Sequence, residues 1–492
     1  NMIVTGMLLL GGAAVVNGLT GMDISLAAML IPVGVMIYTL VGGLKATFVA
    51  DYMHTVIIFI VILTFVSMVF FISPITGGVE GMYNKLVEAA SLNPVLEPTF
   101  TPGEPGNAMG AYLTMASAGG LIFGVINIVG NFGTVFVDQA YWQRAIAAQP
   151  SATVKGFLLG GMCWFAIPFT LATTMGLTAV ALDVALTPEQ VQLGLVVPAA
   201  ASVLMGEIGA ILVLVMLFMA VTSAGSAELI AVSSLITYDV YRTYKNPKAT
   251  GKQLLKVSRG VIVAFGLGMG MLAVVLLGMG LSLGFVYLAM GILIGSAVIP
   301  IALTITWSRT TRSGAVAGAI IGVMLSLLTW TSVAASEANG VIDIGSLGGA
   351  FPMLYGNVVA ILSSGAICII VSLAQNKKYD WKELDQHLSL VTDDMSGDAA
   401  AELVKREQDE VQLKKAFKFS LKGGGLLTLI VIIFWPMPLY FSGYVFDFGF
   451  YGLWVGIAIV WVTTASAFII GLPIIESRHG FAKVFSGKKA SA

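Results

Sequence analysis

The sequence predicts an all-α polytopic membrane protein, and three observations carry that prediction. Twelve apolar runs reach the roughly 20 residues that a membrane-crossing helix needs. Only 10% of the 492 residues are Asp, Glu, Lys or Arg, too few to clothe a soluble globule of this size. The basic residues gather in alternate connections between the runs. The runs cover 2–18, 25–44, 52–73, 111–137, 153–182, 208–237, 257–279, 281–307, 314–335, 347–374, 421–441 and 446–472. They are long and continuous, whereas an outer-membrane barrel shows segments of about ten alternating residues.

The alternation sets the orientation. The connections 45–51, 138–152, 238–256, 308–313, 375–420 and the tail after 472, with the helix ends beside them, hold every Lys and Arg except Lys85. The intervening connections carry Glu80, Glu88, Glu97, Glu104, Asp183, Glu189, Glu337 and Asp343. Basic loops stay in the cytoplasm, so this pattern predicts a cytoplasmic C-terminus and an integral protein of a plasma or bacterial inner membrane. A single missed helix would scramble the pattern, so the alternation also supports the count of twelve.

Composition excludes several classes. The net charge of −1 argues against a nucleic-acid binder. Cys163 and Cys368 are the two cysteines, both within apolar runs, so no disulfide framework is expected. There is no Walker A loop and no dinucleotide fingerprint, which argues against an enzyme or an ATP-driven pump within this chain. The chain opens on Asn1 with no charged segment before its first apolar run, and we expect its natural N-terminus to lie outside it. Residues 74–110 form an external loop rich in Pro and Gly. Residues 376–418 are strongly charged, with Ala400 to Lys418 patterned as a surface helix that serves as a linker or as a regulatory element.

Ionisable groups inside a membrane are expensive and usually functional. Glu228 lies within Ala220-Val-Thr-Ser-Ala-Gly-Ser-Ala-Glu228, about 7.5 Å cytoplasmic of Ser223 at the helical rise. It reads as a proton carrier or cation-path carboxylate, or as a structural carboxylate locked to a neighbouring helix. Asp51 and His54 share a helix face, either as part of a gate or ion-exit path or as a plain interfacial cluster. The run 111–137 is punctured by Gly119, Gly120, Gly124, Gly130 and Gly133 and carries Asn127 and Asn131 on one face. Such a helix is broken to expose backbone groups to a solute, or is packed closely against a neighbour. Thr222, Ser223 and Ser226 offer oxygen ligands to a hard cation, or simply bond the preceding turn.

Three stretches together resemble the solute:sodium symporter family, and within it the urea active transporters. They are Tyr38 to Phe48 with Asp51-Tyr-Met-His-Thr55, then Asn127 to Phe136 with Asp138-Gln-Ala-Tyr-Trp-Gln143, then Ala220 to Ser234 with Thr237-Tyr-Asp-Val-Tyr241. The resemblance implies a LeuT-type five-plus-five inverted repeat. Residues 1–73 would be core helices three to five, 74–110 an extracellular loop and 111–307 core helices six to ten. Peripheral helices at 308–374, the charged cytoplasmic loop 375–420, two last helices at 421–472 and the tail 473–492 would follow. An extra N-terminal helix and core helices one and two would lie outside the chain, and with them half of both sites.

The resemblance also implies functional residues. The family's sodium positions on the eighth core helix fall on Ala220, through its carbonyl, on Ser223, and on Ala224, where the usual hydroxyl is absent. That loss favours a proton, with Glu228 as carrier, over sodium; Ser226 is the substitute ligand if sodium is used. Asp51 falls on the family aspartate near the ion-exit route. The family's sugar-binding positions fall on Asn131, Thr134, Trp164 and Tyr287, with Asn127 beside them. Losing a charge and gaining aromatics suits a small, planar, neutral solute that needs amide or hydroxyl partners. The expectation is therefore urea import by symport with H+ or Na+ through alternating access, with no cofactor and the lipid bilayer as surroundings. The alternatives are a passive urea channel, or a sodium-coupled symporter of another small solute such as a short carboxylate.

Overall fold

A computed structural model describes residues 1–148, 150–380 and 410–485. Its twelve long apolar helices follow the sequence-predicted runs closely. They are α1 (Met2–Thr20), α2 (Ile24–Gly43), α3 (Thr47–Ile72), α5 (Ala118–Val137), α7 (Thr153–Ala181), α9 (Glu207–Lys245), α10 (Gly251–Gly278), α11 (Leu283–Thr306), α12 (Arg312–Glu337), α13 (Ala350–Gln375), α14 (Val411–Ser442) and α15 (Phe448–Ile475). Three shorter helices matter here: α4 (Gly78–Leu92), α6 (Gln139–Ala147) and α8 (Val196–Met205).

Several boundaries differ from the sequence reading, each for a local reason. The break between α2 and α3 is sharper than a seven-residue loop. Gly43 alone leaves helical geometry, at φ 56° and ψ −160°, a conformation open essentially only to glycine. The segment 74–110 contains α4, which buries Met82 and Leu86. The run 111–137 becomes helical only at Ala118, after Ser117 caps the first turn by accepting from the Gly120 N–H at 3.0 Å. From there α5 is continuous to Val137. The glycines do not break it, and the chain leaves helical geometry only at Asp138. The surface helix expected over 400–418 is seen from Glu410, and it forms the first part of α14. The rest of that segment lies outside the described residues.

In lipid, helices gain nothing from the hydrophobic effect against one another and associate by close packing. Gly130 and Gly133 act in this way. A Cβ on Gly133 would stand 2.8 Å from Ile294 Cγ1, and one on Gly130 would stand 3.0 Å from Met290 Cε. These two glycines let α5 lie against α11, with Ile122, Ile126, Ala289, Ile292 and Met353 filling the seam to α13. A second core joins α1, α2, α9 and α10 through Leu9, Ala13, Ile31, Val221 and Met269. The largest core, with Phe59, Phe65, Met175 and Tyr451, ties α3 to α4, α7, α8, α9 and α15.

Candidate functional site

Long-range contacts gather the ends of α1, α3, α5 and α6 against the middle of α9. Asp51, early in α3, is the centre of the first cluster. Ser223 Oγ on α9 donates to Asp51 Oδ1 at 2.5 Å. Arg144 Nη2 on α6 donates to Asp51 Oδ2 at 2.5 Å. The Arg144 guanidinium also stands 5.7 Å from the centre of the Phe48 ring. Ala220, Ser223 and Ala224 line one wall of a groove of about 960 Å³, with Asp51, Arg144 and Trp164 on other walls. Ser226 stays out of this groove. It is fully buried, and its hydroxyl donates to the Ser223 carbonyl at 2.9 Å, as hydroxyls inside helices commonly do. His54 shares the α3 face of Asp51 and has a buried Nδ1 without a hydrogen-bond partner.

The second cluster surrounds Glu228, which is 3% exposed. Glu228 Oε2 accepts from the Asn1 side-chain amide at 2.7 Å, and the same Nδ2 donates to Asp138 Oδ1 at 2.8 Å. Asp138 is itself 2% exposed and caps α6 by accepting from the Ala140 N–H at 2.8 Å. Glu228 forms no ion pair among the described residues. Tyr141 sits over the pair. Burial first, and then the charges of Asp138 and Glu228, push its phenol above the ordinary range.

The third cluster is neutral and lies farther along α5. Asn131 Nδ2 donates to Asn127 Oδ1 at 2.5 Å, and the Tyr287 hydroxyl on α11 donates to the same oxygen. Phe123 stacks on Tyr287 with ring centres 6.1 Å apart. Asn127, Asn131 and Gly124 open onto a cavity of about 320 Å³. Thr134 does not face that cavity. It is buried, with its hydroxyl on the Gly130 carbonyl at 3.1 Å and on Met290 Sδ at 3.2 Å. Trp164 is also elsewhere, 60% exposed in the groove beside Asp51.

The sequence-predicted residues therefore fall in three places, with Thr134 and Ser226 buried outside all of them. Asn127, Asn131 and Tyr287 meet, Asp51, Ser223 and Ala220 meet with Trp164, and Glu228 stands apart. Sequence reasoning passed over Arg144, Asp138 and Asn1. Arg144 looked like one more cytoplasmic basic residue, and Asp138 like part of a motif. The helix-capping pattern Asp138-Gln-Ala was the available signal that the chain turns there.

The sequence model of the sodium:solute symporter family matches residues 2–322. The chain belongs to the sodium:solute symporter family. It is 48% identical to the urea-proton symporter DUR3 of Oryza sativa subsp. japonica, over 99% of this chain and 67% of that protein. It is 40% identical to the probable urea active transporter 1 of Schizosaccharomyces pombe, over 100% of this chain and 73% of that one. The urea active transporter of Saccharomyces cerevisiae is 35% identical, over 99% and 74%. Among solved structures, the substrate-bound outward-open state of a Na+-coupled sialic acid symporter superposes with a TM-score of 0.52. That match has 17% identity and covers 75% of this chain and 73% of that one, which shows a common LeuT-type fold. The symporter is thus a secondary transporter embedded in a membrane by apolar helices, twelve of them among the described residues.

Proposed function

We propose that this symporter carries urea inward, driven by a proton gradient, through alternating access. The observation that carries the coupling is Glu228, a buried carboxyl with an amide and a second carboxyl beside it and no cation paired to it among the described residues. An ionised, unpaired carboxylate in such a place is costly, whereas a carboxyl that takes and gives up a proton fits. A sodium site at Ala220 and Ser223 is less well furnished. The Ser223 hydroxyl is already given to Asp51, and Ala224 brings no oxygen from its side chain.

The substrate reading rests on the relatives named for urea and on the amide cluster. Asn127, Asn131 and Tyr287 supply neutral donors and acceptors beside the flat Phe123 ring, as a small planar amide requires. Asp51, with Arg144 and Ser223, lines the release route at the basic end of the molecule. The positive-inside pattern supports a cytoplasmic position for that end and for the C-terminus. Uptake of labelled urea into proteoliposomes holding the full chain tests this reading. We expect accumulation above the outside concentration when the lumen is alkaline, without sodium, and collapse with an uncoupler. Simple equilibration points to a channel, accumulation only with sodium points to sodium coupling, and failure of unlabelled urea to compete against acetate points to another solute.

A further inference from the structure

The capping oxygens of Asp138 and the carboxyl of Glu228 raise a question of hydrogen-bond supply. Asn1 has two side-chain N–H groups and gives one to each carboxyl. Ala140 serves Asp138 Oδ1 as well. Asp138 Oδ2 is left buried with no donor, while Asp138 Oδ1 and Glu228 Oε2 meet on the same Asn1 nitrogen. Two carboxylates facing each other in a dry site cannot both keep their charge. One proton between them supplies the missing donor and removes one charge.

We propose that Asp138 and Glu228 form a single proton-binding carboxyl pair that ties the α5–α6 junction to α9 while the proton is held. Losing the proton sets two negative charges face to face and drives the two elements apart. Bound, the proton makes a carboxyl–carboxylate hydrogen bond across the joint. The proposal rests on the proton-coupled reading above and adds a second residue and a mechanical consequence. Asp138 acts on the proton directly; Asn1 is a positioning residue that holds both carboxyls in register.

The surroundings leave this assignment little competition. From α1, the Asn1 amide faces Glu228. From α6, Tyr141 faces the pair, and Arg144 beyond it is engaged by Asp51. From α2, the Tyr38 hydroxyl donates to the Thr222 carbonyl, more than a turn of α9 away. From α10, Ser258 bonds Ser233, also more than a turn away. Ala140, Ala227 and Ala231 pack together beside the pair.

The test is the pH profile of urea uptake by the full chain in proteoliposomes. Asp138→Asn keeps the helix cap and removes the facing charge. Glu228 then holds its proton less tightly, and half-maximal uptake should need about tenfold more protons. Asn1→Ala removes a donor that favours the charged form, so its midpoint should move the opposite way, to higher pH. Glu228→Gln should abolish the pH dependence, and adding Asp138→Asn to it should change nothing further. An infrared carboxyl band of the purified wild type should vanish in Glu228→Gln and shift in Asp138→Asn. If neither Asp138→Asn nor Asn1→Ala moves the midpoint while Glu228→Gln still uncouples, the pair is wrong and proton coupling stands. If Glu228→Gln keeps the wild-type profile, both are wrong.

Discussion

The charged end of the bundle and the neutral cluster on the face of α5 are built in opposite ways. At the charged end, Asp51, Arg144, Ser223, Asp138, Glu228 and Asn1 come from five separate elements and meet through contacts spanning about a hundred residues or more of chain. In the neutral cluster, Asn127 and Asn131 are one helical turn apart and a single partner, Tyr287, comes from the adjoining α11. The first arrangement joins helices to one another, so it changes when they move. The second is carried on α5 and α11 as a unit and keeps its shape when they move. Since α5 runs from Asn131 to Val137, just before Asp138, one continuous helix connects the proposed solute cluster to the proposed proton pair.

This contrast can be broken at several points. The largest effect belongs to Glu228→Gln, which should remove concentrative urea uptake while leaving urea exchange between preloaded vesicles intact. Loss of both would show that the residue only holds the fold. Next comes Asn127→Leu, which strips the acceptor from two donors at once. Leaving such groups unmatched costs about 1–3 kcal/mol, so KM for urea should rise roughly tenfold or more with the pH midpoint unmoved. A shifted midpoint would mean the two regions are not separable.

Arg144→Gln should act more mildly. The Arg144 and Asp51 side chains are 28% and 21% exposed, and an ion pair so open to water is worth about 1 kcal/mol or less. A change in uptake rate of no more than about fivefold, reduced further at high salt, is the expected outcome in a transport assay. The smallest effect is expected from Thr134→Val. Its hydroxyl is spent on its own helix and on Met290, so KM should change less than about twofold. A tenfold rise there would return Thr134 to the urea site.

Much of this architecture was legible in the sequence, because membrane helices are written in long apolar runs and alternating basic loops. Residues related by helical spacing were legible too: Asn127 and Asn131 announce a shared face, and the structure joins them. The glycines of α5 were ambiguous because close packing and helix breaking call for the same residue, and only the contacts of Gly130 and Gly133 with α11 decide for packing. What stayed hidden was contact between distant residues. Nothing local to Asp138 shows that Glu228 will face it, and nothing local to Arg144 shows that Asp51 will. Trp164 and Thr134 were assigned to the solute site through the family resemblance, while the fold turns one into a different groove and the other into a packed seam.

Urea-evoked proton entry tests the central claim most directly. A pH-sensitive dye sealed in sodium-free proteoliposomes reports the lumen when urea is added outside. The account predicts acidification with the wild-type chain and none with Glu228→Gln that still exchanges urea. Acidification that persists in Glu228→Gln, or wild-type urea uptake with no proton movement at all, contradicts it.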